Sequence, residues 1–132
     1  MRLLINTATT FKGGGVQVAK SFIEECKIYP EHDFIVVLGL NLVTLIDETS
    51  FPTNFTFLHI SYRPATRVFS FKDSTSFLKE VENNHNPDVV FTTSGPAYWR
   101  PKAPHLMGFN LGHYIYSDSP YFQKINLKRR IK

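Results

Sequence analysis

Three consecutive glycines, Gly13–Gly15, separate an apolar segment at the start of the chain from an amphipathic segment that follows. The first segment, Arg2–Asn6, has the composition of a short buried strand. After the glycines, apolar residues recur from Val16 to Cys26 along one face of a helix, and Pro30 ends it. A strand, a glycine bend and a helix in this order are typical of the beginning of an α/β domain.

The rest of the chain alternates in the same way. Asp33–Gly39 is a continuous run of branched apolar residues, which predicts a strand buried on both faces of a parallel sheet. Further strands are predicted at Phe55–Ile60, Asp88–Thr93 and His105–Asn110, a loop at 61–72, a helix capped by Asp73 or Ser74 and closed by Asn83–Pro87, and a helix over 121–132. Residues 40–47 fit either a short helix or an irregular crossover. We therefore expect an α/β fold, a Rossmann-like and mostly parallel sheet with helices on both faces.

In an open parallel sheet, ligands bind beyond the carboxyl ends of the strands, which are predicted here at residues 6–15, 39–41, 92–98 and 110–116. The bend Gly13, Gly14 and Gly15 lies in the first of these ranges. Glycines let the backbone approach a ligand closely, and the helix N-terminus behind them favours an anion such as phosphate. The alternative is a strand–helix turn with no ligand.

The bend does not match the common nucleotide motifs. Val18 stands where the dinucleotide fingerprint has its third glycine, and no acidic residue ends the second strand, so an NAD or FAD site is not expected. Ala19 replaces the second glycine of a phosphate-binding P-loop, which leaves Lys20 and Ser21 as ordinary helix residues. The sequence has no CxxC, HExxH or Asp-x-Asp motif, and we expect no metal and no cofactor.

Other candidate residues follow the later strands. His113 comes just after the fifth strand, where an imidazole can bind a phosphate or hydroxyl or act as a base; it fits a turn histidine equally well. Ser94 and Tyr98 follow the fourth strand, and Tyr98 with Trp99 can either stack on a sugar or pack the loop onto the domain. His105 is expected to be structural, and Cys26, on the apolar helix face, to be inert.

Charge is concentrated at the end of the chain. The net charge of +4 comes from five basic residues in Lys124–Lys132, without which ten basic residues face eleven acidic ones. A nucleic-acid partner is not expected, because such proteins spread positive charge over a face. The longest apolar stretch, 13 residues, is too short to span a membrane, and Met1–Asn6 is too short for a secretory signal. We expect a cytoplasmic protein whose tail contacts the inner face of the membrane or is simply solvated.

Four segments together resemble the N-terminal domain of a GT-B fold, group 1 type (retaining) glycosyltransferase. They are Arg2–Asn6, the glycine bend running into Val16 and Ala19–Ile23, Asn86–Phe91, and Pro104–Asn110 followed by His113. The chain also stops within a helical pattern at Lys132, which predicts a fragment of a longer protein. The resemblance implies that residues 1–132 are the acceptor-side domain and that the C-terminal donor-binding domain is absent from this chain.

The resemblance further implies an enzyme of polysaccharide biosynthesis, which as a full-length protein moves a sugar from a nucleotide-sugar donor to a saccharide or lipid-linked acceptor without a metal. By position, Gly13, Gly14 and Gly15 would face the donor diphosphate, His113 would be catalytic, and Asn110, Ser94 and Tyr98 would lie on the acceptor side. The isolated fragment is expected to be inactive. The alternative is a free-standing α/β nucleotide- or flavin-binding module, of the flavodoxin or response-regulator kind, without transferase activity.

Overall fold

The computed structural model, which describes residues 1–62 and 71–109, contains one sheet of five parallel strands. The strands are β1 (Arg2–Asn6), β2 (Asp33–Leu38), β3 (Phe55–His59), β4 (Val89–Thr92) and β5 (His105–Met107), and they lie side by side in the order β3-β2-β1-β4-β5. The helices are α1 (Gly14–Glu25), α2 (Leu40–Val43) and α3 (Phe71–His85), with 3₁₀ helices at Cys26–Ile28 and Glu48–Ser50. The predicted α/β class is confirmed.

Helices cover both faces of the sheet, and the side chains of β1 alternate between the two faces. Leu3 and Ile5 pack with Ile23 of α1 on one face, whereas Leu4 packs with Leu78 of α3 on the other. Such alternation is the two-residue period of a strand, and it makes β1 the buried centre of the domain. Among the described residues, no helix is both long and apolar enough to cross a bilayer.

Cys26 lies in the α1-side core and is only 6% exposed. Burial, with a smaller contribution from the Glu25 carboxylate, raises the pKa of its thiol to about 11. Since the thiolate is the reactive form, this cysteine has very little nucleophilic character at neutral pH.

The structure settles one open alternative and corrects two predicted boundaries. The strand predicted at His105–Asn110 ends at Met107, because Gly108 and Phe109 are not part of it. Residues 40–47 begin with the short helix α2, which settles the open alternative there. The predicted cap at Asp73 or Ser74 is wrong, because α3 already includes Phe71 and both residues lie inside the helix. Leu78 and Val81 pack against the sheet, and this packing contributes more to the stability of α3 than a polar cap at its start would. Most of the loop predicted at 61–72, and the helix predicted over 121–132, lie outside the described residues.

The strand order determines where a ligand would bind. The chain moves outward from β1 to β2 and β3, then returns to pair β4 with the other side of β1. The direction of winding therefore reverses between β1 and β4, and in doubly wound sheets the crevice beyond this reversal is the usual ligand site. This order is the Rossmann one; the flavodoxin order would place β3 beside β1.

Candidate functional site

The glycine bend lies beyond the carboxyl end of β1; Gly13 and Gly14 are exposed, and Gly15 is half-buried. Gly13 has φ 69° and ψ −152°, a conformation that is essentially restricted to glycine. Gly14 begins α1, and a Cβ atom built on Gly13 or Gly14 would meet no atom within 4 Å. The N-cap residue is Gly13, which has no side chain with which to cap the start of the helix. The Val16 amide donates to the Gly13 carbonyl oxygen at 3.1 Å, whereas the amides of Gly14 and Gly15 have no partner among the described residues. These two backbone N–H groups are therefore the donors that the bend offers to a ligand.

Threonine side chains join the segment before the bend to the segment after β4. Thr9 Oγ1 donates to the carbonyl oxygen of Ser94. Thr10 Oγ1 and Thr93 Oγ1 lie 2.9 Å apart, and the Thr93 amide donates to the Asn6 carbonyl oxygen at 3.1 Å. Hydrogen bonds thus join the segment after β1 to the segment after β4, the two sides of the crevice. The structure brings Ser94 and the glycine-bend segment to the same edge of the sheet, as their places after β4 and β1 predicted.

The carboxyl end of β2 is tied to the same loop. The Thr7 hydroxyl donates to the Val37 carbonyl oxygen at 2.7 Å and accepts from the Gly39 amide at 3.0 Å. On the surface above, Asn41 Nδ2 donates to the Phe11 carbonyl oxygen. The loop that leads into the glycine bend is therefore held from both neighbouring strands, which is the preorganisation that an anion site needs.

A buried polar chain runs from β1 to β5. Asn6 Oδ1 accepts from the Ala8 amide at 3.1 Å, so Asn6 Nδ2 is the donor to Thr92 Oγ1, 3.2 Å away. Thr92 Oγ1 is also 3.0 Å from His105 Nε2. Thr92 is fully buried, so its hydroxyl proton needs an acceptor, and among the described residues Nε2 provides it. His105 is accordingly neutral, with its proton on Nδ1.

Burial lowers the pKa of His105 below its ordinary value, partly offset by the Glu82 carboxylate. In the unfolded chain the imidazole takes up a proton near pH 6.5, whereas the folded domain resists it. The stability that depends on the neutral ring is complete above about pH 6.5 and is lost as the pH falls through the lowered pKa.

We therefore expect the unfolding free energy of the wild type to fall more steeply than that of His105→Gln when the pH is lowered from neutrality to below about 6.5. Urea denaturation of both proteins at each pH measures the difference. Parallel pH profiles for the two proteins would show that His105 remains as easily protonated in the folded state as in the unfolded chain.

A buried carboxylate fixes the loop between β4 and β5. Glu82 of α3 is 5% exposed, and it accepts hydrogen bonds from Trp99 Nε1 at 3.2 Å and from the amides of Lys102 and Ala103 at 2.6 and 3.0 Å. Tyr98, in the same loop, has φ 63°, which is uncommon for a residue other than glycine. The surroundings thus hold Tyr98 in a strained conformation at the rim of an open groove.

Several predicted site residues are not placed by the structure. His113, Asn110 and the basic tail Lys124–Lys132 lie outside the described residues. Among the residues described, no group of three His, Cys, Asp or Glu side chains gathers where a metal ion would bind.

The sequence did not predict the hydrogen-bonded threonines of the crevice, the role of Glu82 or the polar partners of His105. The threonines are Thr7, Thr9, Thr10, Thr92 and Thr93, which we call the threonine network. The network had a readable signal, because Asn6–Thr10 and Thr92–Thr93 are unusually polar for residues directly after buried strands. Glu82 had none, since an acidic residue near the end of a helix is normally solvated.

Comparisons with known proteins give no further guide to function. No protein-family model, no curated protein and no solved structure matches the chain.

Proposed function

We propose that this chain is the N-terminal, acceptor-side domain of a glycosyltransferase that transfers a sugar from a nucleotide-sugar donor to a saccharide or lipid-linked acceptor. The observation that supports this most is the exposed glycine bend, with the uncapped start of α1, at the β1–β4 winding reversal. That arrangement suits the diphosphate of a nucleotide sugar.

The chemistry of glycosyl transfer explains why such a bend is useful. When the nucleoside diphosphate leaves the sugar, negative charge builds up on the phosphate oxygens. Fixed backbone N–H groups and the positive end of a helix dipole stabilise that charge, and they do so without reorganising. In the proposed enzyme, a second domain closes over the crevice and excludes water, which would otherwise hydrolyse the donor.

The remaining roles belong to the same proposal. Ser94 and Tyr98 lie on the acceptor side, with Asn110 and His113 beyond them in the chain, and His113 acts on the reacting groups. Contact of Lys124–Lys132 with an anionic membrane surface would hold the enzyme near a lipid-linked acceptor.

A free-standing nucleotide-binding module is the alternative, and the Rossmann strand order is compatible with it. The flavodoxin form of this alternative is less favoured, because β4 rather than β3 pairs with β1.

A ligand panel separates these functions. Uridine diphosphate, a uridine diphosphate sugar, inorganic pyrophosphate, flavin mononucleotide and NAD are each titrated into the chain and followed by ligand-observed NMR. The proposal expects the diphosphate-bearing uridine compounds and pyrophosphate to bind, with dissociation constants in roughly the millimolar range for this half of a cleft. Binding of flavin mononucleotide or NAD much more tightly than pyrophosphate would replace the proposal with the alternative.

A further inference from the structure

A second concave surface lies beside the crevice, between β5 and the loop that joins β4 to it. It is an open groove of about 580 Å³ whose lining includes Pro96, Tyr98, Arg100, Pro101, His105 and Met107. Small-molecule sites typically enclose about 300–1,000 Å³, and they combine apolar walls with a few polar groups. The groove is open to solvent and is large enough for one or two sugar rings.

The groove is shaped by fixed elements on two sides. Glu82 holds the Trp99–Ala103 side through three hydrogen bonds. On the other side, the Gly95 amide donates to the Gly108 carbonyl oxygen at 3.0 Å, and the Gly108 amide donates to the Thr92 carbonyl oxygen at 2.8 Å. The walls are therefore held in place before any ligand arrives, which lowers the entropic cost of binding.

Two polar side chains that line the groove, Arg100 and His105, can bind the charged and hydroxyl groups of a ligand. Arg100 is exposed and makes no ion pair or hydrogen bond with the part of the chain that the structure describes. A guanidinium group matches the paired oxygens of a carboxylate or phosphate. His105 commits Nε2 to Thr92, so its Nδ1–H is the donor that remains for a hydroxyl group. Pro96, Pro101 and Met107 offer apolar surface to the face of a sugar ring.

We propose that this groove binds a monosaccharide unit that bears an anionic group, either a carboxylate or a phosphate ester, with Arg100 on the anion and His105 on a ring hydroxyl. The inference deepens the proposed function and rests on it only for the role of that sugar as the acceptor. Binding itself depends on the groove alone.

The test compares three probes that differ in charge: glucuronate, glucose 6-phosphate and glucose. Each is titrated into the complete 132-residue chain and followed through the backbone amide signals of residues 96–107. We expect one or both anionic probes to bind at least about tenfold more tightly than glucose. A preference between the two anionic probes identifies the carboxylate or the phosphate as the natural group.

Arg100→Gln should reduce the affinity for the anionic probes to that for glucose. Lys102→Gln is the matched control: it removes the same charge two residues away, from a side chain that binds Asn83 instead of lining the groove. Equal binding of all three probes, no binding by any of them, or equal losses in the two variants would overturn the proposal.

Failure of this inference is distinguishable from failure of the proposed function. Gly14→Glu, which is directed at the glycine bend, should leave unchanged the shifts that glucuronate and glucose 6-phosphate cause at residues 96–107, even where a phosphate also binds at the bend. Loss of anionic-sugar binding in that variant would show that both ligands share one site and would also overturn the inference.

Discussion

Replacing Gly39 with alanine should destabilise the domain by about 2–3 kcal/mol, a large part of the roughly 5–15 kcal/mol that stabilises a domain. A Cβ atom at this position would lie 2.6 Å from the Thr7 carbonyl oxygen and 3.5 Å from the Ala8 Cα atom. These are backbone atoms of two buried residues, and Thr7 also binds the Val37 carbonyl oxygen and the Gly39 amide through its side chain. The loop therefore has to move as a unit to make room. Urea denaturation measures the change.

Gly14→Ala is the matched control for this prediction. The new methyl group meets nothing within 4 Å, and Gly14 does not have a positive φ. Since alanine restricts the unfolded chain and favours helix, this variant should be unchanged or more stable by up to about 1 kcal/mol. If the two variants lose stability equally, the close approach of β2 to the glycine-bend loop is not a constraint on the fold.

Gly14→Glu should separate folding from ligand binding at the glycine bend. A carboxylate in the first turn of α1 interacts favourably with the helix dipole, so stability should stay the same or rise by about 0.3–1 kcal/mol. The same side chain occupies the open space in front of the bend and repels an anion. We therefore expect the affinity for pyrophosphate and for uridine diphosphate to fall at least about tenfold, as measured by NMR titration.

The control for charge alone is Gln17→Glu. Gln17 is exposed on α1, two residues after the bend, so this variant adds the same charge to the same helix without placing a side chain at Gly14. Its diphosphate affinity should fall by no more than a few-fold, clearly less than in Gly14→Glu, because two charges about 4 Å apart in water interact by only about 1 kcal/mol and this side chain leaves the space at the helix start free. Equal losses in Gly14→Glu and Gln17→Glu would mean that general electrostatics, not the bend, binds the diphosphate.

The sheet was predictable from sequence because the signal of a buried parallel strand is local. Arg2–Asn6 and Asp33–Leu38 are apolar runs bounded by polar or turn residues, and both are strands in the structure. The start of α3 was not predictable in the same way. Asp73 is a favourable capping residue, but burial of Leu78 and Val81 stabilises a helix that includes Phe71.

In the candidate site too, the features with a local sequence signal were predictable and the contacts between strands were not. The position of the glycine bend followed from one rule about strand ends, because Gly13–Gly15 directly follow the first strand and its loop. The hydrogen bonds of Thr10 with Thr93 and of His105 with Thr92 join residues from different strands. Such contacts depend on the strand order, which the spacing of apolar residues does not specify.

The claim that the glycine bend binds a diphosphate is tested most directly by a two-dimensional ¹H–¹⁵N NMR titration of the 132-residue chain with inorganic pyrophosphate, which shows the backbone amides that respond. We expect saturable shifts that are largest at Gly14 and Gly15, whose amides have no partner among the described residues, and that disappear in Gly14→Glu. Shifts confined to the basic residues of Lys124–Lys132, with the amides of the glycine bend unmoved, would contradict it.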